Sequence, residues 1–400
     1  MALTATIEGS NIQLSGNPVW ITVSGGEAPE DAINYKYLLQ VVDSGGSLLA
    51  VPPPDAKTPD DSDEALFDIS GIVDQPVQAE FEYPPSGAIN SYTSLAFGIK
   101  VKPGESYVDG DTESETYGEL IENWGSESAE FFILKGGASQ RQLAMWYDEG
   151  DDFYSVYITG GRFLSHRPWG DYVHPDQPVK LWIMGSGSGT FTVTATYDDG
   201  TTDDYTTAAS LSDGYLYEFN CNPGDLGITM DDGSKRVEFF DVEIDGYSDS
   251  RRFTVDWRYC ERPFYLLFAN SIGGIDDVYL GGKAVEGLKV DGKVMYKPAD
   301  IDSTVYDPTL IKPNSSGQNV WKINTGWKTA TQMLHLRDLL VSRQVWLLYP
   351  NEGVTSYSVI PVNIDNSSAE LVDREKNTYS LTLEISEAHT SQYSFDNRLY

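Results

Sequence analysis

Cysteine is almost missing from this chain: Cys221 and Cys260 are the only two in 400 residues. A secreted chain stapled by disulfides normally carries more, so the pair reads as two buried thiols, with a single bridge between them as the alternative. Histidine is nearly as scarce, at His166, His174, His335 and His389. Neither His-Glu-x-x-His nor a paired Cys motif occurs, which removes the usual zinc signatures. A Gly-rich phosphate loop with its lysine is absent too. The run from Gly185 to Gly189 has the wrong spacing and precedes a strand rather than a helix, so it reads as a flexible turn. No serine or cysteine sits in a nucleophile-elbow context. No segment approaches the roughly 18 apolar residues of a membrane span. The opening MALTATIEGSNIQLSGNPVW has neither a basic n-region nor an apolar h-region, and is not read as a secretory signal.

Positive charge is also in short supply. Lys and Arg number 27 against 61 Asp and Glu, a net of −34. Residues 1–162 hold 27 acids and 7 bases, or −20, and residues 163–400 hold 34 and 20, or −14. Such a chain repels phosphate backbones and anionic membranes, so nucleic-acid and lipid partners are not expected. The acidity serves solubility at high copy number or matches a basic neighbour; a solvated surface is the blander reading.

What is present points to β-structure. Hydrophobic residues make up 40% and aromatics 12%, which supports folded domains, and the length suggests two to four of them. Phe253, Val255, Trp257 and Tyr259 alternate with Arg252, Thr254, Asp256 and Arg258, the pattern of a half-buried strand. Phe191, Val193, Ala195 and Tyr197 alternate with threonines, and Asp199-Gly200 then leads into Thr201–Thr207. That is a hairpin signature, with Asp-Gly suited to the positive φ angles of a type I′ turn. Asp213-Gly214, Asp232-Gly233 and Asp291-Gly292 repeat the turn chemistry. The fold class expected is all-β, with tandem β-sandwich domains of Ig-like or jelly-roll-like type. Residues 329–341 are the exception. Ala330, Met333, Leu334, Leu340 and Val341 fall near helical spacing, Thr329 or Thr331 could cap the N-terminus, and a strand from Gln344 to Tyr349 follows.

Composition sets the expected boundaries. Residues 51–64 are Pro- and Asp-rich and read as a long loop. Residues 103–128 are acidic and read as a loop excursion or linker. Residues 306–318 read as a loop or hinge. The division is an N-terminal sandwich at 1–136, a central sandwich at 137–262, and a mostly-β C-terminal domain with one short helix at 263–400.

Three constellations invite a functional reading. His166 and His174, with Asp171 and Asp176 nearby, could hold a metal or pair base with carboxylate, against the alternative of a polar loop. Asp198, Asp199, Asp203 and Asp204, and separately Asp109, Asp111 and Glu113, could offer oxygens to calcium, although neither stretch matches an EF-hand; no other cofactor is implied. Trp146, Tyr147, Tyr154, Tyr157, Trp169, Tyr172 and Trp182 crowd one segment. Rings in such numbers fill a core, anchor a subunit interface or stack on sugar; Trp146, Trp169, Tyr172 and Trp182 are the candidate interface or glycan contacts. A glycosidase pair cannot be chosen among 61 acids without geometry.

The last third carries a resemblance. WKINTGW (321–327), LRDLLVS (336–342), VWLLY (345–349), IPVNI (360–364) and YSLTLEISEA (379–388) run in that order, with WRYCERPFYLLFANSIGGID (257–276) upstream. Shorter echoes are FDISGIV (67–73), FFILKGG (131–137) and RFLSHRP (162–168). The order resembles virion structural proteins of tailed bacteriophages of Bacteroidota, including crAss-like phages. The resemblance implies a non-enzymatic tail, neck or adsorption-apparatus subunit in the virion, made in the host cytoplasm. Its partners would be copies of itself and neighbouring virion proteins, with a host-surface glycan as the alternative target.

Overall fold

A computed structural model describes residues 2–26, 28–49, 55–77, 83–84, 86–92, 96–148, 151–185, 187–260, 262–296, 310–311, 315–350, 357–366, 368–369, 371, 378–389 and 391–392. The fold is all-β with several separate sheets, about 49% strand and 8% helix.

In the N-terminal part, a three-stranded sheet (Thr4–Ile7, Trp20–Ser24, Glu64–Asp68) faces a six-stranded one. The latter is built on Ala32–Asp43 and Ala96–Asp109, paired antiparallel from Ala32↔Asp109 to Asp43↔Ile99. Ile21, Val23, Phe67, Tyr37, Ile99 and Phe131 fill the space between them. The acidic stretch 103–128 is not a plain loop. Its first residues complete the Ala96–Asp109 strand, and Leu120–Trp124 pairs back against Gly104–Val108. The Pro/Asp-rich loop contains the short strand Asp55–Lys57, while 51–54 fall outside the described residues.

The central sandwich sets a five-stranded sheet (Asp171–Val173, Gly187–Tyr197, Thr202–Leu211, Val237–Ile244, Ser250–Val255) against a three-stranded one (Ile89–Tyr92, Lys180–Met184, Leu216–Asn220). The alternating Phe191, Val193, Ala195 and Tyr197 all point into its core. The expected hairpin forms, with Thr196 paired to Thr202. Its turn differs, because only Gly200 takes a positive φ (81°). Gly200 N–H bonds Tyr197 C=O and Tyr197 N–H bonds Thr201 C=O, which is a type I turn closed by a Gly bulge rather than type I′. The Phe253 strand ends at Val255. Trp257 packs beside the core with its indole N–H on Val237 C=O (2.8 Å), and Tyr259 lies in solvent. Ile89–Tyr92, from within residues 1–136, is hydrogen bonded to Leu216–Asn220 of this sandwich.

The C-terminal part is one large sheet in the order Ile275–Leu280, Phe264–Ala269, Val345–Pro350, Tyr357–Ile364, Thr382–Glu387, Ser315–Asn324, Ala284–Gly292. The Ala330–Val341 helix packs on one face. It begins at Thr329, whose hydroxyl accepts from Gln332 N–H while Gln332 Oε1 accepts from Thr329 N–H, a reciprocal capping box. Phe264, Leu266 and Phe268 face this helix; Tyr265 and Leu267 face a separate apolar cluster with Leu134, Trp182, Met184 and Leu216. The uninterrupted apolar run Phe264–Phe268 is therefore a strand buried on both faces.

That second cluster joins all three parts. Backbones approach closely there: a Cβ on Gly136 would sit 2.8 Å from Ser271 C=O. Asn270 holds the corner, donating to Leu164 C=O (2.7 Å) and accepting from Ile272 and Gly274 N–H (3.1 and 2.9 Å). Beyond the single helix read from the sequence, the structure adds the one-turn helix Ser70–Val73, the helix Gln140–Asp148 and a π-helical segment Tyr154–Thr159, whose Tyr154 and Tyr157 pack against the junction.

Candidate functional site

The four candidate contact residues are not brought together. Trp182 is fully buried within the Lys180–Met184 strand, its ring 5.4 Å from that of Tyr92 and its indole N–H without a hydrogen-bond partner among the described residues. It is a core residue of the junction and cannot touch a glycan or another subunit. A strand with both faces covered hides every side chain, and the aromatic count cannot reveal that. Trp169 and Tyr172 are exposed, at 59% and 45%. Trp169 lies against the Arg252 guanidinium, which also covers Phe239 and holds Asp241 through two hydrogen bonds of 2.7 Å. The side chain of Trp146 lies outside the described residues.

The histidines do not meet either. His166 Nε2 lies 3.1 Å from Ser271 Oγ and 3.8 Å from Asp338. His174 Nδ1 lies 2.8 Å from the Tyr265 hydroxyl and 3.8 Å from Asp176, and burial lowers its pKa. Asp171 turns instead to Arg167. No group of three metal-ligating side chains converges among the described residues. The acidic loops use their oxygens on themselves: Asp109 accepts from Thr116 Oγ1 (2.6 Å) and Asp111 N–H (2.9 Å), and Asp199 from Thr201 N–H (2.9 Å) and Oγ1 (2.6 Å). Calcium at either loop stays an expectation from composition.

What the structure does bring together is a buried ionic cluster where the central sandwich meets the C-terminal sheet and helix. Arg167 donates from Nε to Asp171 (2.9 Å) and from Nη1 to Asp277 (2.7 Å). Gln332, on the helix, donates to Asp171 (2.8 Å), and Gln177 donates to Asp277. His335 Nε2 contacts Asp276 at 3.0 Å, and Lys180 pairs with Glu218 at 2.8 Å. Burial pushes the Asp276 carboxyl up, but the hydrogen bond and charge of His335 outweigh it and hold the pKa down at about 2. Burial likewise opposes ionisation of Asp171, and Arg167 reverses the sign. Lys328 is pushed down by burial. Beside this cluster is a cavity of about 10 Å³, room for one water, and the Asp276–His335 pair is sealed from solvent. A larger opening, about 230 Å³, lies where Lys135 and Gly136 meet Ser271, Asp338 and Arg343. Its two cations are already held by Asp74, at 2.9 Å from Lys135 and 2.5 Å from Arg343.

The most exposed element is the far end of the C-terminal sheet. Ala284–Gly292 pairs with Ser315–Asn324 through nine register positions, and its other edge pairs with no strand among the described residues. Every residue from Val285 to Asp291 is exposed. Leu288 and Val290 share one face; Val285 and Lys289 share the other. Further out, Met295–Tyr296 and Leu310–Ile311 form a two-stranded ladder with Val294, Met295, Tyr296 and Leu310 all more than half exposed. The root is held by Tyr349 OH donating to Glu286 (3.1 Å) and by Asn319 donating to Glu387 (2.8 Å). Sequence reading missed this arm. Asp291-Gly292 looks like a turn, yet Gly292 is still paired, with Ser315. The available signal was a β-prone stretch whose apolar residues, at 285, 288, 290, 294 and 295, match no single buried face. Residues 297–309 and 312–314, which include most of the expected loop at 306–318, lie outside the described residues.

No family model matches the chain, and no curated protein matches it. Among solved structures, a chain titled "Marsupial T cell receptor" is similar to it at 10% identity, with 80% of this chain and 96% of that one covered, and a TM-score of 0.19; a likeness of that size carries no argument.

Proposed function

We propose that this chain is a structural subunit that works through protein–protein assembly contacts, in the tail, neck or adsorption apparatus of a bacteriophage virion. The observation that carries the assembly reading is the arm. A strand exposed on both faces, unpaired along one edge and bearing Val285, Leu288 and Val290 is a hazard to a free monomer. It becomes an asset when a neighbour adds to that edge or covers that face. The interlocked body supports the same reading, since a rigid junction of three parts can transmit load between contacts. Placement in a virion rests on the C-terminal sequence resemblance alone. Mass spectrometry and imaging of purified particles test it: the chain should appear as a stoichiometric component, and a Leu288→Asp/Val290→Asp variant should fold yet fail to incorporate. Its absence from particles would end the virion reading; normal incorporation of the variant would end the role of the arm.

A second reading, a receptor- or glycan-binding module, draws on the exposure of Trp169 and Tyr172 on neighbouring positions of one loop and strand. Glycan-array binding that disappears in Trp169→Ala would favour it.

A further inference from the structure

The solvent face of the five-stranded central sheet carries more than the polar residues that alternation leaves outside a sandwich. Two rows of side chains cross it in register, with adjacent strands about 4.8 Å apart. Tyr172, Thr254, Phe239, Thr196 and Thr202 stand side by side on five successive strands. Two residues along the strands, Arg252, Asp241, Thr194 and Asp204 form the second row. Gly170, at a φ of 70°, donates its N–H to Arg252 C=O (2.9 Å) and so sets Trp169 at the end of that row. None of these side chains is buried. The rings and the cation are held in place. Asp241 takes Nε and Nη2 of Arg252, both at 2.7 Å, and the guanidinium carbon lies 4.1 Å from the centre of the Phe239 ring and 5.7 Å from that of Trp169. The clamp leaves Nη1 with no protein acceptor among the described residues. The hydroxyls of Thr194, Thr196, Thr202 and Thr254 also make no side-chain hydrogen bond among the described residues.

We infer that this face binds a neutral oligosaccharide. One sugar ring stacks on Trp169 at the sheet edge, and the following units run inward over the threonines. Arg252 Nη1 donates to sugar hydroxyls, the threonine hydroxyls donate and accept, and Asp204 accepts. Charge selects the ligand class. Arg252 and Asp241 cancel each other, while Asp204 and the exposed Glu243 on the same face remain negative, so acidic sugars are repelled. A protein partner suits the face less well, because its centre is threonine and an ion pair, where the centre of a protein interface is apolar and aromatic. This site rests on the glycan-binding reading and gives it a ligand class and a set of contacts beyond Trp169 and Tyr172. It is independent of any placement in a virion.

A glycan array carrying neutral and acidic oligosaccharides, probed with the full chain, tests the site. Titration calorimetry then gives the affinity for the best neutral glycan on the array. Neutral glycans should be retained and acidic ones should not. Trp169→Ala should weaken binding about five- to ten-fold through loss of the stacking surface. Arg252→Lys keeps the charge but removes the planar fork, and should weaken binding about ten-fold. Thr194→Ala/Thr196→Ala should weaken it about five-fold, while Thr194→Ser/Thr196→Ser, which keeps both hydroxyls, should bind like wild type. Trp20→Ala, at an exposed tryptophan of the N-terminal sheet, should change nothing. Circular dichroism confirms folding of each variant. A chain that retains no glycan overturns the site and the glycan-binding reading together. Retention of acidic glycans alone overturns the ligand class and leaves that reading standing. Neutral binding that Trp169→Ala removes, but that Arg252→Lys and the double alanine variant leave intact, also keeps the reading and overturns the sheet-face site.

Discussion

Two ends of one sheet meet opposite fates. At one end, Phe264–Ala269 and Ile275–Leu280 are buried on both faces, under the Ala330–Val341 helix on one side and the three-way junction on the other. At the other end, Ala284–Gly292 has both faces in solvent. The strands belong to the same ladder and have similar β-forming residues, so local preference does not separate them. Their neighbours do. Asp276 and Asp277 lie in the buried end because Arg167, His335 and Gln177 reach them from other parts of the chain. Lys289 and Asp291 lie in the exposed end, where water serves them.

The comparison can be broken most strongly at the buried charges. Arg167→Met should leave Asp171 and Asp277 without their cation and cost roughly 3–5 kcal/mol, read by urea denaturation. Replacing Asp277 as well by a neutral residue should recover part of that loss. A pair of identical changes sharpens the contrast. Leu266→Ala in the buried strand should cost about 2–5 kcal/mol. Leu288→Ala in the arm of the isolated chain should stay within about 0.5 kcal/mol.

A third effect follows from pH. The folded pKa of Asp276 is about 2, below the ordinary 3.8. An acid depressed in this way contributes stability that is fully present above the ordinary value and lost as pH falls through the folded one. The contribution is about 2 kcal/mol, disappearing between pH 4 and 2. Denaturant titrations across that range should show a shallower pH dependence in Asp276→Asn than in wild type. The smallest of the buried-side effects is at the helix start, where Thr329→Ala should cost about 1 kcal/mol through loss of the capping box.

Much of the fold was legible locally. The Phe191–Tyr197 alternation predicts one buried face, and those residues are inside. The 329–341 spacing predicts a helix with a threonine cap, and Thr329 caps it. The functional surfaces were less legible. Aromatic density in 146–182 left core, subunit interface and sugar platform open; Trp182 serves the junction and the Tyr154–Thr159 π-helix packs Tyr154 and Tyr157 inward. The two histidines eight residues apart in sequence point to different partners, His166 to Ser271 and His174 to Tyr265, because the chain between them turns through the Asp171–Val173 strand. The arm was hidden because exposure of a strand is set by what fails to pack on it, and sequence records only what is there.

The sequence by itself determined the class of secondary structure, the place of its best hairpin, the place of its C-terminal helix and the excess of negative charge. These follow from side-chain period, turn chemistry and titration, which act over a few residues. Tertiary structure alone decided which apolar strands were covered twice and which not at all, and which carboxylates found Arg167, Lys180 or His335. Those outcomes depend on surfaces meeting across tens of residues of chain or more, from 38 between Lys180 and Glu218 to 110 between Arg167 and Asp277 and 161 between Gln332 and Asp171.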